Sequence, residues 1–313
     1  MNFAVAGVAG FVAPRHLDAI RDTGNRIVAA FDPHDAVGVL DRYSFDIRFF
    51  TEYERFDRHL EKLRREDEAA RVHYVSICSP NYLHDAHIRL ALRVGANVIC
   101  EKPTVVNPWN LDAIEELEAE TGLTVNTVLQ LRMHPRFTGL REQLLAESAT
   151  TSHDVCLTYV TPRGRWYDVS WKGATERSGG LATNIGIHLF DLLIWLFGPV
   201  VDCHVHLSES SRVAGFLQLE RARVRWFLSK SPDDLRLCPG VDRAATYRSI
   251  QMDGQEIEFS GGFSDLHTRV YEEALAGRGF RIPHARPAIV AARRIRDTPL
   301  TSGGALRHPF LLR

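Results

Sequence analysis

Two polar motifs and a glycine turn contain the residues whose types and spacing could do chemistry. Lys102 stands in Glu101-Lys102-Pro103 after a short apolar run, and His188 opens an apolar helical run behind a glycine-rich segment. A lysine can stabilise a developing alkoxide, and an imidazole with a pKa near neutrality can accept a hydroxyl proton. With the glycine turn at 7–10, these residues predict hydride transfer. Taken singly, Lys102 also fits a solvated lysine paired with Glu101, and His188 fits a half-buried helix start.

The glycine turn follows a predicted strand and precedes a predicted helix. Gly7 and Gly10 have Gly-x-x-Gly spacing, which departs by one residue from the usual G-x-G-x-x-G. In this context backbone N–H groups can approach a pyrophosphate at a helix N-terminus. Asp32 closes the second predicted strand, where a carboxylate can bind ribose hydroxyls and repels a 2′-phosphate, so NAD is favoured over NADP. The alternative is a tight turn with a helix cap at Asp32-Pro33.

The elements that position these motifs alternate in the first part of the chain, as in a parallel sheet built from βαβ units. The predicted strands are Phe3–Ala6, Arg26–Phe31, Tyr74–Cys78, Asn97–Cys100 and Thr124–Leu129. The predicted helices are Arg15–Arg21, Phe56–Arg64, His84–Arg93 and Pro108–Glu120. Because open α/β sheets bind ligands at the carboxyl ends of their strands, Ser79-Pro80-Asn81 and Glu101-Lys102-Pro103 should both lie at the ligand edge.

The pattern changes after Gln130. A helix at Pro135–Ala146 leads into longer, alternating strands, predicted at Asp154–Val160, Cys203–Leu207, Val213–Leu219, Val224–Leu228 and Tyr247–Met252. The fold class is therefore α/β. An N-terminal Rossmann domain with a parallel sheet is predicted over residues 1–129, and a C-terminal α+β domain with a largely antiparallel open sheet over 130–313. Ser231–Asp242 reads as a loop, and the tail from Thr298 as a mobile or surface segment.

Composition narrows the classes of partner. A net charge of −1 over 313 residues gives no electrostatic reason to expect nucleic acid or an anionic membrane. We expect no secretory signal, because the chain opens on a strand pattern, and no membrane span, because Ile185–Leu196 is short and includes His188 and Asp191. The five scattered cysteines favour a reducing cytoplasm. His204-x-His206 is a possible metal pair, but it has no evident third ligand, so no metal is predicted.

Together these motifs resemble the Gfo/Idh/MocA oxidoreductase family. The resemblance rests on the glycine turn, Ser79-Pro80-Asn81 with His84, Glu101-Lys102-Pro103 and Gly186-x-His188-x-x-Asp191. It implies a Rossmann domain followed by an α/β domain whose open sheet serves oligomerisation. It also implies catalytic roles for Lys102 and His188, with Asn184 standing where most of the family has aspartate. The cofactor residues assigned with it are Gly7, Gly10, Phe11, Val12, Asp32, Ser79, Pro80, Asn81, His84, Glu101 and Lys102.

A narrower resemblance is to the bacterial UDP-N-acetylglucosaminuronate 3-dehydrogenases, called WlbA or WbpB. It is carried by residues 9–16, 129–135, 158–161 with 163–167, and 184–188. Both the longer glycine turn and Asn184 are usual in that subgroup. The resemblance implies that NAD oxidises the 3-hydroxyl of UDP-N-acetylglucosaminuronic acid, giving a 3-keto sugar for a pyridoxal-phosphate aminotransferase in the synthesis of diacetamido uronic acids for surface polysaccharide. It also implies a homotetramer, and NADH is either released or reoxidised in place by 2-oxoglutarate.

A substrate with a carboxylate and a diphosphate needs cations, donors and stacking surfaces. The assigned substrate residues are Gln130, Arg132, His134, Arg163, Trp166, Tyr167, Trp171, Lys172, Asn184 and His188. Arg163–Lys172 is a basic, aromatic segment. For any one of its residues, a surface loop with core-anchoring tryptophans explains the pattern equally well. Two other functions stay open: a dehydrogenase of a free sugar or polyol, and a non-catalytic NAD-binding regulator. Retention of both Lys102 and His188 favours an enzyme.

Overall fold

The computed structural model describes residues 1–239, 246–259 and 262–312. The chain folds into two compact units. The first unit comprises Met1–Gln130 and Ser264–Arg286, and the second comprises Leu131–Phe263 and the chain from Pro287 onward. Each unit has its own six-stranded sheet.

The first unit contains an all-parallel sheet in the order β3-β2-β1-β4-β5-β6. Its strands are β1 Asn2–Ala6, β2 Arg26–Phe31, β3 Arg48–Phe50, β4 Tyr74–Ile77, β5 Asn97–Cys100 and β6 Val125–Thr127. Its first helices are α1 Ala13–Asp22, α2 Tyr53–Glu66, α3 His84–Arg93 and α4 Trp109–Thr121. Every residue of β1 and β4 is buried, as expected for central parallel strands covered on both faces. The predicted Rossmann architecture is confirmed.

The second unit contains a mixed sheet in the order β12-β11-β7-β10-β9-β8. Its strands are β7 His153–Val160, β8 Val200–Ser208, β9 Arg212–Leu219, β10 Ala222–Ser229, β11 Tyr247–Met252 and β12 Gln255–Glu256. Its helices begin with α5 Pro135–Ala146, α6 Trp166–Val169, α7 Thr175–Ser178 and α8 Ile187–Phe197. Neighbouring strands are antiparallel apart from β7 and β10, which run parallel. The prediction of a largely antiparallel α+β domain is confirmed.

The last two helices, α9 Leu266–Leu275 and α10 Ile282–Asp297, change the predicted domain boundaries. The segment 264–286 belongs to the first unit, whereas the sequence analysis assigned it to the C-terminal domain. The reason is packing: α9 lies on α1, and its fully buried Tyr271 ring stacks on Phe3 of β1 with centroids 6.0 Å apart. Apolar periodicity shows that a helix has a buried face but does not show which sheet covers it.

The central helix α8 forms the core beneath the second sheet. Phe190 packs edge-on against Trp226 of β10, with ring centroids 5.3 Å apart. A Cβ at Gly186 would come within 2.5 Å of Leu228 Cδ1, so a residue without a side chain lets the helix start approach β10 closely. The helical run Thr175–Phe197 has the length and composition to cross a membrane. Its most apolar 18-residue stretch has a mean hydropathy of 1.5, but 78% of that stretch is buried inside the protein. A core helix shows the same pattern.

Two segments predicted as irregular carry structure. Pro232–Leu237, within the predicted loop, forms a 3-10 turn, and residues 240–242 of that loop lie outside the described residues. The tail is ordered on the sheet: the buried His308 ring stacks on Phe227 at 5.5 Å between centroids, and its Nε2 lies 3.0 Å from Thr158 Oγ1. Among the described residues from Thr298 onward only His308 is buried, so the tail lies on the surface as predicted and is anchored there by one aromatic ring.

Candidate active site

The glycine turn lies against the carboxyl end of β4. Gly7 donates its N–H to Phe31 O at 2.8 Å and adopts φ +87°, which favours glycine. A Cβ on Gly7 would come within 2.4 Å of Ser79 N. Gly10 N–H closes the turn on Gly7 O at 3.1 Å, and α1 begins at Ala13. Both glycines let the turn pack closely against the backbone after β4, and the bare backbone in front of the helix start forms a cradle that fits a dinucleotide pyrophosphate.

Asp32 accepts a hydrogen bond from the backbone of this turn. Its Oδ2 accepts the Ala9 N–H at 3.0 Å and its Oδ1 accepts the His34 N–H at 2.9 Å. A carboxylate oxygen can accept a second hydrogen bond, so both oxygens retain capacity for ribose hydroxyls. The carboxylate therefore caps the turn, rather than starting a helix as the alternative interpretation proposed. Phe11, at the tip of the turn, is 95% exposed, and Val12 follows it as the N-cap of α1.

The loops after β4 and β5 are joined by His84. Its Nδ1 lies 2.7 Å from Pro103 O and its Nε2 lies 2.8 Å from Ser79 O. The ring is fully buried, and burial lowers the pKa of His84 although both carbonyls oppose this shift. The sequence analysis assigned His84 to cofactor binding. The structure places it behind the two loops, where it fixes the backbone next to Lys102, while Pro80 and the buried Asn81 continue the loop after β4.

Glu101 lies in a buried cluster with two histidines. Its Oε1 is 3.0 Å from His16 Nε2 and 3.1 Å from His267 Nε2, and its Oε2 accepts the Lys102 N–H at 3.2 Å. Burial by itself would raise the pKa of Glu101, but the hydrogen bonds from both histidines outweigh it and hold the pKa well below its usual range. The three donor atoms lie within 4.8 Å of one another, close enough to hold a metal ion. Sequence reasoning missed this cluster, since its residues lie far apart along the chain.

In the second unit, Asn184 and His188 share one face of a helical segment. A π-helical turn, Ala182–Gly186, leads directly into α8. Within 181–190 these two residues are partly exposed, and the other eight are buried. A side chain that repeats after about one turn on an otherwise buried helix points to a common surface, and π-turns are frequent at functional sites. The sequence analysis identified both residues from the motif alone.

Tyr167 supports Asn184. The Asn184 Nδ2 donates to the Tyr167 hydroxyl at 2.6 Å. Only 3% of Tyr167 is exposed, and burial raises its pKa although the bond from Asn184 opposes this. Lys230 Nζ lies 4.9 Å from the centroid of the Tyr167 ring and also pairs with Asp168. Its contacts fit a residue that orients Asn184, and its assignment to substrate binding stays a prediction.

The basic, aromatic segment presents cations on aromatic rings. Lys172 Nζ lies 4.3 Å from the Trp171 centroid and 5.5 Å from that of Trp166, which is 54% exposed. Arg163 is exposed. A cavity of about 160 Å³ in the same unit is lined in part by Tyr167, Lys172, Gly180, Ser208, Lys230 and Arg296. Pockets for whole ligands span roughly 300–1,000 Å³, so this cavity suits one charged group rather than a complete sugar nucleotide.

Arg132 and His134 are both buried in the second unit. Arg132 is buried and pairs with Asp191 through two bonds, Nε to Oδ2 at 2.9 Å and Nη2 to Oδ1 at 2.6 Å. Such a bidentate pair satisfies a buried guanidinium. His134 is buried beside Phe137 and accepts the Arg136 N–H at 3.2 Å, which caps α5. These contacts give both residues a structural role in the second unit, and their assignment to substrate binding stays a prediction.

Gln130 and the two histidines of β8 complete the set of candidate residues. The buried Gln130 Oε1 has no hydrogen-bond partner among the described residues, as expected for an atom that meets a ligand. His204 pairs with Asp202 at 2.9 Å. Neither His204 nor His206 belongs to a group of three metal-ligating side chains in the part of the chain that the structure describes.

Two family models match the chain. The model described as the oxidoreductase family, NAD-binding Rossmann fold (GFO_IDH_MocA), matches residues 1–128. The companion model, the C-terminal alpha/beta domain, matches residues 151–228. Among curated proteins, the D-glucoside 3-dehydrogenase of Escherichia coli K12 is 32% identical over 129 residues, which is 40% of this chain. That alignment spans only 35% of the relative's own length.

Two solved structures are much more similar. Both are of the WlbA (WbpB) dehydrogenase from Thermus thermophilus, one in complex with NAD and alpha-ketoglutarate and one with NAD and UDP-GlcNAcA. Each is 50% identical to this chain and covers 99% of both chains, with TM-scores of 0.94 and 0.93. A WlbA structure from Bordetella pertussis, at 18% identity, 96% and 97% coverage and a TM-score of 0.74, shares the fold.

Proposed function

Because this chain belongs to the Gfo/Idh/MocA oxidoreductase family, we propose that it catalyses the NAD-dependent oxidation of the 3-hydroxyl of UDP-N-acetyl-D-glucosaminuronic acid to the 3-keto sugar. The observation that carries the proposal is the 50% identity, over 99% of both chains, to the Thermus thermophilus dehydrogenase bound to NAD and UDP-GlcNAcA. The glycine cradle and Asp32 support the choice of NAD, since a carboxylate at this position disfavours a 2′-phosphate.

The catalytic roles follow from the chemistry of an alcohol oxidation. Bound NAD accepts the hydride from the sugar carbon. We assign His188 to accept the hydroxyl proton, because a neutral imidazole suits that task near pH 7. Lys102 orients the hydroxyl and stabilises the developing negative charge on its oxygen. Asn184 cannot ionise, so it orients neighbouring groups through hydrogen bonds, and Tyr167 fixes its amide.

The second unit offers groups suited to an anionic sugar nucleotide. Lys172, backed by two tryptophan rings, and the exposed Arg163 can meet a carboxylate or phosphate. The exposed Trp166 can stack on a sugar or uracil ring. In the first unit, Gln130 presents an oxygen without a hydrogen-bond partner among the described residues, and this oxygen can accept a hydrogen bond from a sugar hydroxyl.

We further propose that 2-oxoglutarate reoxidises NADH, since one Thermus thermophilus complex contains alpha-ketoglutarate with NAD. The 3-keto product is a substrate for a pyridoxal-phosphate aminotransferase that introduces the amino group. A homotetramer is expected by resemblance, because an open sheet face favours burial against a second copy. The free cysteines, four of the five being buried, suit a reducing cytoplasm.

The decisive experiment is a product assay with purified protein. We expect NAD, 2-oxoglutarate and UDP-N-acetylglucosaminuronic acid to give the 3-keto sugar and 2-hydroxyglutarate, both detected by mass spectrometry. UDP-N-acetylglucosamine, which lacks the carboxylate, should react much more slowly. Light scattering should show a tetramer at micromolar concentration.

A second candidate is a free-sugar dehydrogenase, favoured by the 32% identity to the Escherichia coli D-glucoside 3-dehydrogenase. Faster oxidation of a free glucoside than of the nucleotide sugar would select this candidate. No product with any sugar, despite measurable NAD binding, would select a non-catalytic NAD-binding protein.

A further inference from the structure

The buried cluster around Glu101 has a defined arrangement of protons. The Tyr271 hydroxyl lies 2.7 Å from His16 Nδ1, and Ser76 Oγ lies 2.6 Å from the Tyr271 oxygen. If Tyr271 donates to His16 Nδ1, the single proton of a neutral His16 ring sits on Nε2 and faces Glu101. The series of hydrogen bonds from Ser76 through Tyr271 and His16 then ends on the Glu101 carboxylate, which accepts the last one. We infer these proton positions from the hydrogen-bond pattern.

His267 completes the arrangement from α9. Its Nε2 reaches the same Glu101 oxygen at 3.1 Å, while the other oxygen accepts the Lys102 N–H at 3.2 Å. Burial lowers the pKa of His16, and the hydrogen bonds from both histidines lower the pKa of Glu101, so both shifts favour a Glu101 carboxylate beside a neutral His16 ring. The cluster thus places a carboxylate that accepts hydrogen bonds from His16, His267 and the Lys102 N–H. Such an anion keeps its field, because hydrogen bonds stabilise the charge without cancelling it.

The position of Glu101 in the sheet decides what this charge can act on. Glu101 directly follows β5 in the strand order β3-β2-β1-β4-β5-β6. A Rossmann sheet consists of two mononucleotide-binding halves. The pyrophosphate turn follows β1 and Asp32 follows β2, so the half formed by β4, β5 and β6 remains for the nicotinamide nucleotide. The oxidised nicotinamide ring is a cation, and the reduced ring is neutral.

We propose that Glu101, held as a buried anion by His16 and His267, favours the oxidised nicotinamide over the reduced ring at this edge of the sheet. The inference rests on the proposed use of NAD and deepens it. It makes the bound reduced cofactor a better hydride donor, which matches the need for a second acceptor such as a 2-oxo acid. His16, His267 and Tyr271 are positioning residues in this scheme, because they act through Glu101.

The first test compares two carboxylates by binding alone. Glu101→Gln keeps the shape and removes the charge, so the ratio of the NAD to the NADH dissociation constant should rise on the order of tenfold at an effective dielectric constant of about 20. The matched control is Glu118→Gln. Glu118 is also buried in the first unit, but it accepts the N–H of Val125, the first residue of β6. It therefore lies at the amino ends of the strands, whereas Glu101 lies at the carboxyl end of β5. The ratio for Glu118→Gln should stay at the wild-type value.

The second test uses His267, in case Glu101→Gln does not fold. His267→Gln retains an N–H donor toward Glu101 and should keep the wild-type ratio. His267→Leu removes the donor and should raise the ratio by a smaller factor than Glu101→Gln. The same ratio in both His267 variants would overturn the proposal.

Two other results would also overturn it. The first is an unchanged ratio in Glu101→Gln, including equal weakening of NAD and NADH, which marks a purely structural role. The second is stoichiometric zinc in the purified protein, since a metal would cancel the charge. No sugar enters these measurements. Failure to oxidise the nucleotide sugar, with the ratio shifted as expected, would therefore reject the proposed substrate and leave this inference standing.

Discussion

Asn184 and Tyr167 form one hydrogen-bonded pair, in which the Asn184 amide donates to the phenol oxygen at 2.6 Å. Because Tyr167 is almost fully buried, the phenol provides a fixed acceptor that sets the direction of a partly exposed amide. The carboxamide therefore replaces the aspartate of other family members with a neutral group whose orientation depends on its neighbour.

We expect Tyr167→Phe to reduce turnover roughly fivefold, since one hydrogen bond contributes about 1 kcal/mol. Asn184→Ala should cost as much or more. Steady-state product formation by mass spectrometry measures both. Tyr159→Phe, on β7 of the same unit, is the control and should keep wild-type turnover. Wild-type turnover in Tyr167→Phe would show that the pair serves packing only.

His188→Asn and Lys102→Ala should each lower turnover on the order of a hundredfold or more, because they remove the proton acceptor and the alkoxide donor. NAD binding, followed by fluorescence titration, should persist in both variants. Asn184→Ala should lose less than either. If His188→Asn forms product at a near-normal rate, His188 leaves the mechanism and Lys102 becomes the base.

NAD should bind far better than NADP, since the Asp32 carboxylate repels a 2′-phosphate. Asp32→Ser should narrow this preference. It should also weaken the binding of NAD, because the N–H groups of Ala9 and His34 lose their acceptor. Isothermal titration with each cofactor gives both effects. Equal affinities in the unaltered protein would contradict the assignment.

Gly7→Ala should abolish NAD binding and lower the free energy of unfolding by more than about 2 kcal/mol, because a positive φ and a clash act together. The new Cβ would lie 2.4 Å from Ser79 N. Gly122→Ala is the matched control, since Gly122 has φ +68° but nothing within 4 Å of its Cβ position. It should cost about 1 kcal/mol and leave NAD binding intact. Similar losses of NAD binding and stability in the two variants would show that the positive φ alone, and not the clash with Ser79, causes the effect.

Stability should depend on pH through His153. Burial alone would lower its pKa, but Asp253 and Glu147, at 2.8 and 2.9 Å, raise it above the usual value. A raised folded-state pKa stabilises the protein below the unfolded value of about 6.5, and this contribution is lost as pH rises through the folded value. Both carboxylates are partly exposed, so the change should stay below about 1 kcal/mol.

Urea unfolding at about pH 6 and about pH 8.5, which bracket the ordinary histidine pKa, measures this effect. His153→Gln should lack the decrease that the wild type shows. A decrease of the same size in the variant would assign the pH dependence to other groups.

The sequence was most informative where local pattern decides structure. The glycine turn, the strand ends that carry Ser79 and Glu101, and the motif with Asn184 and His188 all followed from order along the chain. The three-residue edge strand β3 was missed because so short a run has no periodicity.

Tertiary partners could not be predicted in the same way. Nothing in the local sequence pairs His16 with His267, or Arg132 with Asp191, because both pairs form only when separate elements pack. The same limit explains His308, which looked like part of an irregular tail and is buried on Phe227.

The position of α9 has a consequence for synthesis of the chain on the ribosome. The first unit receives one of its helices from 264–286, after most of the second unit has been translated. Until then Phe3 lacks the Tyr271 ring that stacks on it, and His16 lacks the phenol that directs its proton. A nascent chain that has emerged only through Gln130 thus exposes apolar surface that a chaperone can bind. The Rossmann unit comes first in translation but cannot be the first to finish folding.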